Sequence, residues 1–427
     1  MRWCLNNPVK IMRLLSLIPS PLFSGPHNHD LRLSSVLAAE GVSTTILLPE
    51  EPGDALARLR SAGAVVITCP SHRPDVPVPQ TVVHALYLAK LVRNIRFVRG
   101  VIRKQSIDLV QLADPFHLHG AIAARMEGLP VVVHLIGMGG SLPARSMGAL
   151  ITCRLATVIM TAGTGVQAAY PGLSRLRRHV VSYFSPVDVS TFVPDRERRI
   201  AARAELGLGD EDVVIGYIAR LHPEKDHFTC LRAVSLIRKR FPSVRFVMLG
   251  SIDPGCAEYV ASLWRTAGAV DLQLGRDVIH RNAGASVAHL AQVFDIYWST
   301  GVQEGATTSI GEAMALALPV VCTDSGSVRE MVQDGMTGCV VGSRDFEALA
   351  KVTIHLIENS ALRKQMGRSA REQAVRLFSS EVCAAKHLEA YRTALSYFPS
   401  ERRGRPRRSG PPPDFSSDGN SIRARMR

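Results

Sequence analysis

Glu304 and Glu312, separated by seven residues, lie in the stretch STGVQEGATTSIGEAMALALPVVCTDSGSVREMVQDGMTGCVVG, residues 299–342. Between them come Thr307, Thr308 and Ser309, whose hydroxyls favour helix starts, and the apolar run IGEAMALAL then continues until Pro319 halts it. The pattern predicts a helix beginning near Thr308. Its first N–H groups and positive dipole end would face outward, and Gly305 lets a ligand approach the backbone, an arrangement suited to phosphate. Glu304 falls just ahead of that end and Glu312 about one turn inside it. One carboxylate is then placed to meet a sugar and the other to accept hydrogen bonds from ribose hydroxyls. Without their surroundings the same glutamates are a loop charge and a solvated helix charge.

Further candidates lie upstream. Arg220 and Lys225, in ARLHPEKD, offer a guanidinium fork and a point charge, both useful to phosphate. Alone they read as solvated loop cations. His134 closes the apolar run VVVHLIG just before a glycine-rich turn. Strand ends of open α/β sheets point into the ligand crevice, which favours a site role there. His117 and His119, in DPFHLHGA, compete for that role. Gly25, between Ser24 and Pro26, marks the turn after the first apolar run.

The elements that must hold these residues alternate along the chain. MRLLSLIPS, STTILLPE, AVVITCP, DLVQLAD, PVVVHLIG, ATVIMTA and HVVSYFS read as buried strands separated by helical stretches, the pattern of a parallel sheet covered by helices. A second alternation opens with DVVIGYIAR and continues through VRFVMLGS into the glutamate stretch. At 427 residues the chain has room for two domains. No apolar run reaches the ~18 residues of a membrane span. The basic, briefly apolar start mimics a signal peptide, but Arg13 interrupts it; it reads as strand one after a loose extension.

Residues 299–342 resemble the donor-binding segment of the retaining glycosyltransferases of family 4, within glycosyl transferase group 1. The resemblance rests on Ser299, Glu304-Gly305, Glu312-Ala313-Met314-Ala315, Pro319-Val320-Val321, Thr323-Asp324, Glu330-Met331-Val332 and Asp334-Gly335 with Gly338. Arg220-Leu221 with Pro223-Glu224-Lys225 is similar to the family's diphosphate clamp, and Val187-Asp188, Phe192 and Pro194 to its interdomain segment. Departures are Ala306 for a bulky apolar residue, Asp226 for a glycine, Ser185-Pro186 for Asn-Gly, and Gly25 alone for a Gly-Gly pair. The resemblance implies an α/β GT-B fold, two Rossmann-like domains with parallel sheets facing a cleft. Residues 1–188 would form an acceptor domain, 189–380 a nucleotide-sugar donor domain, 381–398 a helix returning to the first domain, and 399–427 a disordered basic tail. It further implies catalytic roles for His134, Arg220, Lys225 and Glu304, and substrate contacts from Gly25, Thr307, Thr308, Ser309 and Glu312. No cofactor or metal is expected; Asp210-Glu211-Asp212 reads as a hydrophilic turn rather than an Asp-x-Asp metal site.

The net charge of +14 is uneven: +9 over residues 1–190, zero over 191–398 and +5 over 399–427. In HALYLAKLVRNIRFVRGVIRKQ, residues 84–105, Leu88, Leu91, Ile95, Val98 and Ile102 share one helical face, and Lys90, Arg93, Arg96, Arg99 and Arg103 form a basic stripe. The stripe fits peripheral contact with an anionic membrane, and equally the solvated face of a helix covering a sheet. Eight cysteines without a Cys-x-x-Cys pair read as free thiols in a reducing compartment, hence a cytoplasmic protein touching the inner face of the membrane. The expected function is transfer of a sugar from a nucleotide diphosphate sugar to a glycan or lipid-linked acceptor in cell-surface polysaccharide or glycolipid assembly. The alternatives are a sugar-nucleotide epimerase or hydrolase, and a non-enzymatic binder of anionic polymers. Nucleic acid is not an expected partner, because no stacking surface or nucleic-acid motif accompanies the charge.

Overall fold

The computed structural model describes residues 11–70, 89–137, 150–170, 173, 179–253 and 255–398. The loose extension, the basic tail, the start of the striped helix, and Met138, Gly139 and Gly140 of the turn after His134 lie outside them. The apolar runs of the first half form β1 (Met12–Leu17), β2 (Val42–Glu50), β3 (Val65–Pro70), β4 (Leu109–Leu112), β5 (Val131–Leu135), β6 (Val158–Thr161) and β7 (His179–Ser182). They pair in the order β3-β2-β1-β4-β5-β6-β7, parallel throughout. The second half supplies β8 (Val213–Ile218), β9 (Val244–Leu249), β10 (Val278–Arg281), β11 (Ile296–Ser299), β12 (Val320–Thr323) and β13 (Gly338–Val341). Their order is β10-β9-β8-β11-β12-β13, again all parallel. Parallel strands need helical crossovers, which cover both faces of each sheet, so the central strands are buried hydrophobic runs such as Leu109–Leu112 and Val131–Leu135. The chain has the GT-B fold.

Each sheet reverses its strand order once, between β1 and β4 and between β8 and β11. Crevices open at the carboxyl ends of strands at such reversals. In the second sheet Arg220 follows β8 and Glu304 follows β11, which places both at the reversal.

The two units meet directly. Gly305 lies so close to the end of β5 that a Cβ there would overlap the carbonyl oxygen of Ile136. Glu330 Oε1 accepts hydrogen bonds from the N–H and hydroxyl of Thr164, both at 2.8 Å, and Ser327 Oγ donates to the Ala162 carbonyl at 2.9 Å. The connecting segment is fastened to the end of the chain: Val187 N–H donates to the Phe378 carbonyl at 2.7 Å, and Arg371 donates to the carbonyls of Phe192 and Ala315. The last helix, Ser380–Ser396, lies against the first helix, Gly25–Ala39, and against β5, β6 and β7. There Cys383, Leu388 and Tyr391 share a core with Leu33, Leu37 and Val132.

The basic stripe is only partly free. Helix Leu91–Lys104 buries Val98 and Ile102 as expected, and Arg93 and Arg96 are exposed. Arg99 and Arg103 instead reach Glu127, at 2.8 and 2.7 Å. That carboxylate, just beyond helix Leu118–Met126, fastens two of the stripe's cations to the neighbouring helix. Asp212 of the acidic turn pairs with Arg245 at 3.0 Å and accepts from the Gly209 N–H at 2.8 Å, which makes 209–212 a closed turn. Seven cysteines among the described residues are free thiols.

Candidate active site

The site is built at the carboxyl end of the second sheet. Helix Thr308–Ala315 begins where the hydroxyl run predicts and stops before Ala317, whose φ of +57 breaks the helix ahead of Pro319. Thr307 is the capping residue, yet its hydroxyl does not cap: it donates to Glu304 Oε2 at 2.9 Å. The helix start is thus left without a side-chain cap, open to an incoming acceptor such as phosphate oxygen. Ser309 is turned to the sheet, its Oγ accepting from Tyr297 OH at 2.8 Å.

Glu304 is buried, 6 % exposed, and fully engaged. Oε1 accepts from Lys225 Nζ at 2.6 Å, and its own N–H donates to Ser325 Oγ at 2.9 Å. Lys225 is in turn held by its backbone, because Tyr217 OH and Thr300 Oγ1 both donate to its carbonyl at 2.9 Å. The next residue, Asp226, has a left-handed φ of +48, which explains why a glycine suits this position and why aspartate is tolerated. Its carboxylate also caps helix His227–Arg238 through Thr229. Behind it His227 is buried and hydrogen-bonded to Tyr259 OH at 3.1 Å; desolvation pushes its pKa down to about 3.

Arg220 points to the same end of the sheet and is half exposed, bonded to Asp253 beyond β9. Glu312 is also buried, 7 % exposed, but its partner comes from the other domain: Arg32, on helix Gly25–Ala39, donates to Oε1 at 2.5 Å. The second arm of Arg32 reaches the Pro186 carbonyl at 3.0 Å, and its guanidinium stands 5.7 Å from the Phe192 ring centre. Gly25 opens that helix with clear space where a Cβ would stand. The structure therefore gathers Lys225, Glu304 and Thr307 at one helix start, with Ser309 and Glu312 on that helix and Arg220 at the neighbouring strand end. Arg32 and Asp253 were not foreseen.

His134 lies apart from this group. It is 1 % exposed and faces the first helix and the last one, with its Nδ1 3.2 Å from Tyr183 OH and its ring 5.5 and 5.3 Å from those of His29 and His387. His117 sits by Asp114, Nδ1 to Oδ1 3.0 Å, at the carboxyl end of β4, and its ring is 5.5 Å from that of His119.

Comparison with known proteins finds a likeness to glycosyltransferases. Residues 198–373 match the family model described as glycosyl transferases group 1. The chain is 32 % identical over 198 residues to a GDP-mannose-dependent alpha-(1-6)-phosphatidylinositol monomannoside mannosyltransferase of Mycolicibacterium smegmatis, covering 44 % of this chain and 50 % of that one. It is 27 % identical to a D-inositol 3-phosphate glycosyltransferase of Nocardioides sp., covering 91 % of both. Thus the match spans about half the length of the first relative and most of the second. Among solved structures, the Anabaena protein HepE in complex with UDP and glucose superposes with a TM-score of 0.75 at 18 % identity, over 90 % of this chain and 100 % of that one. Sucrose-phosphate synthase of Thermosynechococcus elongatus superposes at 0.71 and 15 %, over 90 % and 100 %. The likeness to group 1 glycosyltransferases, read first from residues 299–342, is carried by a family model, by named relatives and by fold.

Proposed function

We propose that the chain is a retaining glycosyltransferase that moves a sugar from a nucleotide diphosphate sugar to a glycan or lipid-linked acceptor. The observation that carries this reading is the buried Lys225–Glu304 contact at an uncapped helix start, with Arg220 beside it at the strand-order reversal. In the proposed reaction the acceptor hydroxyl attacks the anomeric carbon on the face the diphosphate leaves. The bond from that carbon to the phosphate oxygen breaks, and the hydroxyl proton passes to the departing oxygen. Arg220, Lys225 and the helix start hold the negative charge that develops there, so the transfer as proposed uses no metal ion. Glu304 orients Lys225 and meets the sugar, and Glu312 accepts from the ribose hydroxyls with Arg32 steadying its other oxygen. Thr307 and Thr308 line the phosphate end, and Gly25 leaves room for substrate at the facing helix. Buried away from that end, His134 takes a positioning role.

The relatives' names support a lipid-linked or inositol-containing acceptor, as in cell-surface glycolipid or polysaccharide assembly. Exposed Arg93 and Arg96 support peripheral contact with anionic lipid on the cytoplasmic face. Calorimetric titration with UDP and with GDP tests the nucleotide half of the reading. Glu312→Ala should weaken nucleotide binding roughly 10- to 100-fold, the worth of a hydrogen bond to a charged group. Glu304→Ala should bind nucleotide nearly as wild type yet turn over slowly. Unchanged binding in Glu312→Ala would remove the ribose assignment.

A further inference from the structure

Three histidines from the two ends and the middle of the chain meet in the core of the first domain. His29 comes from the first helix, His134 from β5 and His387 from the last helix. All three are buried, and one ring nitrogen of each lies within 4.8 Å of the others. His29 and His387 touch Nε2 to Nε2 at 2.9 Å, and the Nδ1 of His387 is 2.7 Å from the Cys383 carbonyl. The carbonyl can only accept, so His387 carries its proton on Nδ1 and presents a lone pair at Nε2. Nδ1 of His29 and Nε2 of His134 are buried without any hydrogen-bond partner. Buried polar nitrogens rarely go unpartnered, and the orphaned Nε2 of His134, beside the Nε2–Nε2 contact of the other two, can give its lone pair to a ligand.

We propose that His29, His134 and His387 form a buried three-ligand site for a divalent transition-metal ion, with Zn2+ the best fit to three neutral imidazoles and a non-protein ligand taking the fourth position. At a Zn–N distance of about 2.0–2.1 Å, tetrahedral ligands stand roughly 3.3 Å apart, so the His29–His387 contact need open only slightly. Supporting groups are present: the Cys383 carbonyl on His387 Nδ1, and Tyr183 OH on His134 Nδ1. A metal here would staple the returning helix to the first helix and β5. The other group of potential ligands, His222, Asp253 and Cys256, is less buried, and Asp253 is already paired with Arg220. His134 is shared with the sugar-transfer reading, but the metal readouts below do not depend on activity.

The test uses the full chain, stripped with a chelator and titrated with Co2+, followed by displacement with Zn2+. One equivalent should bind, with the visible d–d bands of a tetrahedral centre and no thiolate charge-transfer band. The stripped protein should melt at a higher temperature once Zn2+ is returned. His29→Gln and His387→Gln should each abolish the bands, and Tyr183→Phe should weaken Zn2+ binding about tenfold through its ligand's lost partner. Cys256→Ser should leave the bands unchanged. Absence of stoichiometric binding by the wild-type chain overturns the proposal, whatever the folding of the variants. So does binding that survives both histidine substitutions, or that disappears in Cys256→Ser.

Discussion

Lys225 and Glu304 are a buried pair, and removing one member strands the other. Lys225→Met and Glu304→Gln should each cost stability, toward about 3 kcal/mol because Lys225 is partly solvated. The double substitution should recover most of that loss without recovering turnover, which ought to fall on the order of 10²–10³-fold in all three. Chemical unfolding measured beside rates checks this; additive stability losses would mean the contact is not a coupled pair. His227 is a separate reporter of the same corner. Its folded pKa of about 3 lies below the unfolded 6.5, so between those values the unfolded chain binds one proton more. Its contribution is therefore intact above pH 6.5 and lost progressively as pH falls toward 3, at about 1.4 kcal/mol per pH unit. The stability-versus-pH slope should flatten by that amount in His227→Gln. At this scale the sequence makes the functional types legible and hides their partners. Glu304 and Lys225 announce themselves by motif, whereas Arg32 and Asp253 are found only because folding brings them to Glu312 and Arg220 from 280 and 33 positions away.

Between the two sheets, Gly305 packs directly against the Ile136 carbonyl. Gly305→Ala should hold the domains apart. Nucleotide binding, which rests on the second domain, should stay within a few-fold of wild type while turnover collapses. Small-angle scattering should show a larger radius of gyration, and an unchanged radius with normal turnover would mean the contact does not limit closure. The strands that frame this contact are readable from sequence because a parallel strand buried on both faces is a run of apolar residues. The helix start at Thr308 is readable too, but its chemistry is not: Thr307 spends its hydroxyl on Glu304 instead of the helix, a choice made by tertiary contact. The histidine cluster left one faint signal, His29, Leu33 and Leu37 at four-residue spacing on a single helical face.

Taken as a whole, the molecule keeps a neutral second half, residues 191–398, beside a basic first half, residues 1–190. Because Arg99 and Arg103 are spent on Glu127, the proposed contact with anionic lipid would rest on Arg93 and Arg96. At ~1 kcal/mol per basic residue, replacing both by Gln should lower binding to anionic vesicles roughly 30-fold, more at low salt than at high. A chain lacking residues 399–427 should retain the effect; if the truncation alone abolishes binding, the helix is an ordinary cover for the sheet. The two-sheet architecture was legible because alternation survives in both halves. Acceptor identity was not, because loops and helix ends carry no periodic signature. The most direct test of the central claim is product analysis with a panel of nucleotide diphosphate sugars and lipid-linked acceptors, the anomeric configuration being read by NMR. The account predicts a glycosylated acceptor that keeps the donor's anomeric configuration, lost with Glu304→Gln. Inverted product, or free sugar released with no acceptor consumed, would contradict it.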